Sequence, residues 1–372
     1  MQRSRFKADS WYCWLVMVAS FVALLIESGS RPALGVYFLY IIDTFQCSKA
    51  DATAVFALVN SITFLAAPIA SALFKTVGPR TTVILGSLIA SAGYAMCYFA
   101  WSVQFLMFAS VVIGIGCGLI RTTIVSAQPL YFSKHREFAM GLVMCGPGLG
   151  SFIFPPLFYY LIQEYTWRGS MLINAGLLLN VAVVGALLRV RKQSQLTGSR
   201  CSHLKELFDR QLWSDPLFTL QGVVLALAAG SGFIYYAMVM ALMVKHGFDQ
   251  QSAALVFSVN GVSALVGRLL ATGLLLPQVS CTNVPLLYAV SLALSMLPHP
   301  LAAACWTPTQ FLLDNMACGL GFGLFTVSMA PLDVQLFGGA KLPVVMGFGG
   351  LLNGLGGLII PKIGGNTFKH LR

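Results

Sequence analysis

The sequence predicts an all-α, polytopic membrane protein. Hydrophobic residues make up 57% of the 372 residues and charged residues only 9%, whereas soluble domains carry about 25% charged residues. Apolar runs long enough to cross a bilayer core, which takes about 20 residues each, fill almost the whole chain. Helices are the expected form of these runs, because backbone groups in lipid must satisfy their own hydrogen bonds.

The apolar runs divide the chain into eleven predicted spans. The sequence contains no series of ten-residue alternating segments of the kind that predicts a membrane β-barrel. The spans are expected near residues 12–42, 52–74, 81–100, 103–130, 138–163, 169–190, 216–245, 252–276, 284–304, 309–337 and 343–364.

The distribution of basic residues predicts the orientation of the chain. Lys and Arg concentrate before span one and after spans two, four, six and ten, and they are sparse in the loops of opposite parity. Cytosolic loops carry the excess of Lys and Arg in membrane proteins. We therefore expect the N-terminus in the cytosol.

A polar stretch at residues 191–215 divides the chain into two halves. We expect an N-terminal six-helix bundle at 1–190, a cytosolic linker loop at 191–215 and a C-terminal helical bundle at 216–372. Two bundles around a solute path are typical of secondary transporters. The odd number of spans leaves the basic C-terminal residues on the outer side, so we expect that a twelfth helix is missing from this chain.

Several functional classes are disfavoured by the sequence. The net charge of +11 does not indicate a nucleic-acid partner, because the basic residues sit in short loops and form no stripe. The glycine-rich runs at 146–150 and 347–357 contain no GxxxxGK[ST] motif, so they are expected to be packing faces or hinges rather than nucleotide sites. No Ser/His/Asp set, paired carboxylates or metal-ligand spacing stands out. We expect no enzyme, no cofactor and no metal.

Ionisable residues inside the spans are the first candidates for function, since each costs about 2.5–3.5 kcal/mol to insert. Arg268 lies deep in span eight as its one charge, and a guanidinium offers a planar fork to a carboxylate. It is predicted to bind an anionic substrate, or alternatively to be a structural partner of a carbonyl or of a carboxylate on another helix.

Span one carries two charges on one helical face, Glu27 and Arg31, at i and i+4. They form either an internal ion pair, or a site in which Glu27 carries a proton and Arg31 contacts substrate. Arg121, which follows a glycine-rich segment of span four, either lines the solute path or pairs within its own half. Asp314 and Asp333 lie near the ends of span ten, where we expect solvated ends or caps.

Three segments carry a resemblance to a known family. Residues 9–14 (DSWYCW) form an acidic–small–aromatic opening that ends in Trp, and residues 35–38 (GVYF) follow it in the first span. The most specific segment is 131–136 (YFSKHR), before span five. Together they resemble the monocarboxylate transporter family of the major facilitator superfamily, over nearly the whole chain up to the expected twelfth helix.

The resemblance implies two bundles that rock between inward-facing and outward-facing states and move lactate-like anions coupled to a proton. The family's helix-eight Arg matches Arg268, and alignment on residues 336–338 places Phe322 and Thr326 at the family's pocket aromatic and hydroxyl. Asn260, on the same span as Arg268, and Arg31 complete the predicted substrate-binding set.

One departure from the family pattern bears on coupling. Proton-linked members carry an Asp one turn before the helix-eight Arg, whereas this chain has Ala264 there. Proton coupling would then use another acid, and Glu27 is the best candidate. Facilitated diffusion of an anion, a zwitterion or a neutral solute is the alternative.

The sequence therefore supports two functional hypotheses. The first is a secondary transporter of small monocarboxylates or related organic acids, working by alternating access in the plasma membrane. Its expected partners are a small organic anion, the lipid bilayer, protons if transport is coupled to them, and the single-pass chaperone with which some family members travel. The alternative, motivated by Ala264 and the missing helix, is a non-transporting membrane sensor or an inactive truncated carrier.

Overall fold

The computed structural model describes residues 9–33, 37–188, 214–245, 250–276, 283–302, 305–339 and 341–369. Within these ranges the chain is helical and contains no strand, which confirms the predicted all-α class. The helices are α1 Trp11–Ala33, α2 Phe38–Phe45, α3 Lys49–Leu65, α4 Ala67–Thr76, α5 Pro79–Tyr98, α6 Val103–Ala127, α7 Arg136–Leu187, α8 Pro216–Lys245, α9 Gln250–Leu274, α10 Val284–Met296, α11 Pro298–Leu301, α12 Pro308–Phe337 and α13 Leu342–Lys369.

Helical segments of the described residues are long and apolar enough to cross a bilayer. Seven of them meet this requirement by length and composition, with mean hydropathy between 1.3 and 2.2. The protein is therefore a multi-pass membrane protein. The seven segments are Trp11–Arg31, Ala54–Thr76, Pro79–Tyr98, Val103–Leu130, Arg136–Leu187, Val284–Leu301 and Pro308–Phe337.

Several predicted spans differ from the helices in detail. Span one is divided between α1 and α2, with residues 34–36 outside the described ranges. Span two is broken at Ala66, which ends α3 and immediately precedes α4. Spans five and six run together as α7, and the bend between them lies at Thr166, whose φ of 64° and ψ of 169° are not helical.

Helix starts follow ordinary capping chemistry. The side chains of Ser102 and Asn283 accept hydrogen bonds from the backbone N–H groups at the starts of α6 and α10. At the start of α12, Thr307 and Gln310 form a reciprocal capping box. Each cap satisfies a backbone donor that has no partner within its helix.

Glycines let the helices of the N-terminal bundle approach closely. A Cβ at Gly150 of α7 would lie 2.3 Å from the backbone oxygen of Leu25 in α1, and one at Gly118 of α6 would lie 2.4 Å from that of Thr63 in α3. Neither position has room for a side chain. The predicted role of the 146–150 run as a packing face is confirmed.

In the C-terminal bundle, glycines likewise allow α9 and α12 to approach closely. A Cβ at Gly319 would lie 2.3 Å from the backbone oxygen of Asn260, and one at Gly323 would lie 2.1 Å from that of Ala264.

The predicted linker at 191–215 lies outside the described residues except for its last two positions. The proposed domain boundaries therefore stay predictions.

The two halves of the chain touch through α7 and α9. The Sγ atom of Cys145 lies 3.5 Å from Oγ1 of Thr272, and Gly141, one turn earlier in α7, faces the same hydroxyl. Near the first turn of α7, Gln335 of α12 donates a hydrogen bond to Glu137 at 2.9 Å. These contacts lie toward the end of the bundle where α7 begins and α12 ends.

The glycine run of α13 packs against α4 at the same end of the molecule. A Cβ at Gly347 would lie 3.0 Å from that of Ser71, and one at Gly350 would lie 2.6 Å from that of Ala67. The second glycine run is thus also a packing face, as predicted, and it joins the two halves.

Two of the sequence motifs meet at this end of the molecule. The carboxylate of Asp9 accepts hydrogen bonds from the Ser133 hydroxyl at 2.6 Å and from the backbone N–H groups of Ser133, Lys134 and His135. The Trp14 ring packs edge-on against the Phe132 ring, with centroids 5.3 Å apart. Burial raises the pKa of the Asp9 carboxyl, but the hydrogen bonds outweigh it and hold the pKa below its ordinary value.

Candidate functional site

Arg268 lies at the junction of the two halves and is 9% exposed. A Cβ at Gly148 of α7 would lie 2.4 Å from Nη1 of Arg268, so the guanidinium packs directly on the N-terminal bundle. Its central carbon lies 5.9 Å from the centroid of the Phe322 ring, on α12. The guanidinium therefore contacts one helix of each bundle.

Local packing fixes the position of Arg268 on α9. Gly267 faces the α12 backbone, where a Cβ would lie 2.3 Å from the oxygen of Leu320. One turn later, Thr272 donates its hydroxyl to the Arg268 carbonyl at 2.8 Å. These contacts hold α9 against α12 on one side and leave the Arg268 side chain directed toward α7.

Glu27 and Arg31 form a buried ion pair. Their side chains are 0% and 8% exposed, and Arg31 Nε lies 3.2 Å from Glu27 Oε1. Arg31 also donates to the Asn60 side chain of α3 at 3.4 Å. The predicted ion pair is therefore present, and a role for Glu27 in proton transfer stays a proposal.

Ser28 joins this ion pair to Arg121. Its hydroxyl donates to Glu27 Oε2 at 2.5 Å and accepts from Arg31 Nη2 at 3.0 Å. It also accepts from Arg121 Nη1 at 3.2 Å. One hydroxyl thus uses its single donor and both lone pairs to connect three charged side chains.

Arg121 is half-buried on α6. Its guanidinium carbon lies 5.6 Å from the centroid of the Phe64 ring. We call the four residues Glu27, Ser28, Arg31 and Arg121, which hydrogen bonds and an ion pair connect, the central polar cluster. The cluster draws on α1 and α6 of the N-terminal half.

The remaining predicted substrate residues lie on α9 and α12. Phe322 is 39% exposed, which makes its ring accessible beside Arg268. The Thr326 hydroxyl, one turn further along α12, donates to the Gly323 carbonyl at 3.0 Å. The Asn260 side chain is buried and donates to the Asn315 carbonyl at 3.1 Å, so in this structure its amide joins α9 to α12.

The expectation of a solvated helix end is wrong for Asp333. Asp333 is 0% exposed, and its carboxylate accepts a hydrogen bond from the Gln221 side chain of α8. Asp314 is half-buried and accepts from the Tyr235 hydroxyl at 2.7 Å. Both carboxylates face partners on α8, which their positions near the ends of α12 did not indicate.

Sequence reasoning missed the neutral residues that organise the cluster. Ser28, Asn60 and Phe64 each contact a guanidinium. The position of Ser28 directly after Glu27 and one turn before Arg31 was a usable signal, and Asn60 is a polar residue inside an apolar run. Phe64 carried no signal in a chain with 26 phenylalanines.

Within the described ranges, no group of three or more His, Cys, Asp or Glu side chains could hold a metal ion.

Comparison with known proteins gives consistent results. A family model of the Major Facilitator Superfamily matches residues 16–361. Monocarboxylate transporter 13 of Bos taurus is 29% identical over 362 residues, which cover 96% of this chain and 83% of that protein. Monocarboxylate transporter 14 of Homo sapiens is 34% identical over 182 residues, or 49% of this chain and 36% of that protein.

Among solved structures, the fucose:proton symporter FucP of E. coli has the same fold. It superposes with a TM-score of 0.79 at 14% sequence identity, covering 97% of this chain and 93% of FucP. The family model, the relatives and the fold agree with the motifs at 9–14 and 131–136. The chain belongs to the Major Facilitator Superfamily, and it is similar over nearly its whole length to monocarboxylate transporters.

Proposed function

We propose that this protein is a secondary carrier of small monocarboxylates or related organic acids, working by alternating access. The observation that supports it most directly is the position of Arg268, buried between the two halves against Gly148 and beside the Phe322 ring. A guanidinium binds a carboxylate through two parallel hydrogen bonds. An anion held there would contact both bundles at once, and so would influence how they move relative to each other.

The other candidate residues have subordinate roles in this proposal. The ring of Phe322 covers the apolar part of the acid, and Thr326 and Asn260 offer polar groups on the neighbouring turns of α12 and α9. Arg31 contributes positive charge from the N-terminal bundle. Because the Thr326 and Asn260 side chains bond to backbone carbonyls in this structure, they would have to exchange those bonds for substrate.

Proton coupling is assigned to Glu27. Protonation of its carboxylate would remove the negative partner of Arg31 and release that guanidinium toward an anion. Facilitated diffusion is the alternative, because the residue one turn before Arg268 is the buried Ala264 and adds no acid there.

The proposed setting is the plasma membrane, with the N-terminus in the cytosol. A single-pass chaperone is a further proposed partner.

Substitution of Arg268 tests the assignment. Purified protein in lipid vesicles should show saturable uptake of labelled short-chain acids, and Arg268→Ala should abolish it because the anion loses its charged partner. Arg268→Lys should restore part of the uptake, since it keeps the charge but not the planar fork. A pH gradient across the vesicle would distinguish coupled transport from facilitated diffusion.

The matched control is Arg168→Ala. Arg168 is also a partly buried arginine, but it stacks on the Trp167 ring at 4.5 Å and donates to the Ala100 carbonyl, at the bend of α7. Its removal should leave substrate affinity unchanged. If the Arg268→Ala variant took up every transported acid at the normal rate, the role of Arg268 in substrate binding would be disproved. Saturable binding without any flux would instead indicate a sensor.

A further inference from the structure

The carboxyl group of Asp333 is buried without a positively charged partner. It is 0% exposed and lies on α12, where it shares a small cavity with residues of α8 and α13. Its one described hydrogen bond comes from the Gln221 side chain of α8, and it makes no ion pair with any described residue. An ionised carboxylate that is buried and unpaired is strongly disfavoured.

Two acceptor atoms beside this hydrogen bond lack a donor. Oδ2 of Asp333 and Oε1 of Gln221 are both buried without a hydrogen-bond partner, although the Gln221 amide already donates to Oδ1. An ionised carboxylate only accepts hydrogen bonds, whereas a protonated one also donates through its O–H. A proton on Oδ2 that is donated to Oε1 would satisfy both atoms, and the acid and the amide would then form a cyclic pair with two hydrogen bonds.

The surroundings of this pair supply no counter-charge. The cavity beside it measures about 10 Å³, which leaves room for one water at most. On α10, Tyr288 interacts electrostatically with Asp333, but a phenol carries no positive charge. At the same end of the molecule, Glu137 of α7 accepts from Gln335 instead, and Lys341 is exposed. The other residues that line the cavity are apolar: Phe218, Gly222, Leu225, Val345, Gly349 and Leu352.

We infer that Asp333 is a proton-binding site, in which one proton bridges the Asp333 carboxyl and the Gln221 amide while α8, α12 and α13 are packed together. The site lies in the C-terminal half and is separate from Glu27, whose carboxylate has a positive partner at 3.2 Å. Loss of the proton leaves an unpaired charge and two oxygens without a donor, so ionisation of Asp333 opposes this packing.

Infrared spectroscopy detects such a proton directly, because a protonated carboxyl has a carbonyl stretching band that a carboxylate lacks. The spectrum of the purified protein in detergent at neutral pH should contain a band that Asp333→Asn removes. Gln221→Met should shift this band to higher frequency, since the acid loses the amide to which it is hydrogen-bonded. Asp314→Asn is the matched control: Asp314 lies on the same helix but accepts from the Tyr235 hydroxyl, so its replacement should leave the band in place.

Thermal unfolding at a series of pH values tests the effect of the proton on packing. The unfolded chain exposes Asp333 to water and releases the proton, whereas the folded chain retains it. Rising pH should therefore shift the equilibrium of the normal protein toward unfolding, by up to about tenfold for each pH unit. Asp333→Asn has a neutral amide at every pH and should lose this contribution, whereas Asp314→Asn should keep it.

Identical spectra of the normal protein and Asp333→Asn at neutral pH would overturn the inference. If Asp333→Asn does not fold, the band shift in Gln221→Met decides, and an unchanged spectrum there would overturn it. Replacement of sodium by choline should alter neither readout. Stabilisation by sodium that Asp333→Asn abolishes would show that the site takes a metal cation rather than a proton. These measurements involve no transport, so their outcome is independent of the carrier assignment.

Discussion

At the scale of single residues, the neutral Ser28 is as informative as the charges that it connects. Its hydroxyl links Glu27, Arg31 and Arg121, three charged side chains on two helices. A buried ion pair is costly to desolvate, and further hydrogen bonds are needed to offset that cost. Ser28 supplies such bonds to both members of the pair, and so makes the burial of Glu27 and Arg31 tolerable.

Removal of one member of the pair should destabilise the protein. Glu27→Gln leaves the charge of Arg31 buried without its counter-charge, and breaking a buried pair in this way typically costs about 3–5 kcal/mol. We expect a clearly lower unfolding temperature in detergent. The double substitution Glu27→Gln with Arg31→Gln removes both charges and should recover most of the loss.

The same variants separate the two roles of Glu27. If Glu27 carries the proton, the recovered double variant should fold normally but lose the response of uptake to a pH gradient. If Glu27 is only structural, that response should survive. A single Glu27→Gln variant as stable as the normal protein would contradict the ion-pair argument.

Individual charged residues were partly predictable from the sequence. Arg268, Glu27 and Arg31 stand out because they interrupt apolar runs, and the i,i+4 spacing indicated the ion pair directly. Asp333 was misjudged because its burial depends on Gln221, which lies 112 positions earlier in the chain and on another helix. Distance along one helix shows how near a residue is to the helix end, but not what packs beside it.

At the scale of helices, small residues set the distances at which bundles pack. In lipid, helices associate mainly through van der Waals packing and hydrogen bonds rather than through the hydrophobic effect, so close backbone contact matters. Gly150 illustrates this at the crossing of α1 and α7, where it faces Leu25 and Gly29. The glycine-rich composition of this run was visible in the sequence, whereas its partner helix was not.

A single methyl group at Gly150 should separate α1 from α7. Its Cβ would lie 2.3 Å from the Leu25 carbonyl oxygen, a backbone atom that cannot rotate away. Overpacking of this kind costs about 1–3 kcal/mol. We expect Gly150→Ala to lower the unfolding temperature and to disturb Ser28 and the rest of the central polar cluster on α1.

Gly176 is the matched control in the same helix. A Cβ there would meet no atom within 4 Å, and Ala is the better helix former by up to about 1 kcal/mol. Gly176→Ala should therefore be neutral or slightly stabilising. Equal effects of the two substitutions would show that helix propensity, rather than the crossing of α1 and α7, governs the response.

The motifs at 9–14 and 131–136 show what sequence analysis gives at this scale and what it omits. Both were recognisable as family features, but nothing in the sequence shows that they touch. The structure places the Asp9 carboxylate on the backbone N–H groups just before α7, 124 or more positions away. Anions are stabilised near helix N-termini, where free N–H groups point outward.

At the scale of the whole molecule, the fold was predictable because lipid leaves few alternatives. Apolar runs of about 20 residues become helices, and basic loops predict their direction. The end of the molecule at which the two halves are in contact was not predictable from the sequence, because a carrier has at least two arrangements of the same helices. It is set by contacts between halves, such as Glu137 with Gln335, whose partners are far apart in the chain.

The contact between Cys145 and Thr272 allows this arrangement to be locked. Their side-chain atoms lie 3.5 Å apart, one on α7 and the other on α9, and both residues are buried. The hydroxyl and thiol branch from equivalent side-chain positions. A second cysteine at 272 would therefore bring two sulfur atoms into a range from which a small shift forms a disulfide.

Oxidation of the Thr272→Cys variant should arrest transport. The new bond to Cys145 would hold α7 against α9 and prevent the halves from separating at this end, so vesicle uptake should fall on oxidation and return on reduction. The double variant Cys145→Ser with Thr272→Cys lacks the second thiol and should be insensitive to the same oxidant, which controls for the other cysteines. Full uptake by a variant shown to be cross-linked would mean that α7 and α9 do not part during the cycle, and a rocking of the two halves that separates these helices would then be excluded as the mechanism.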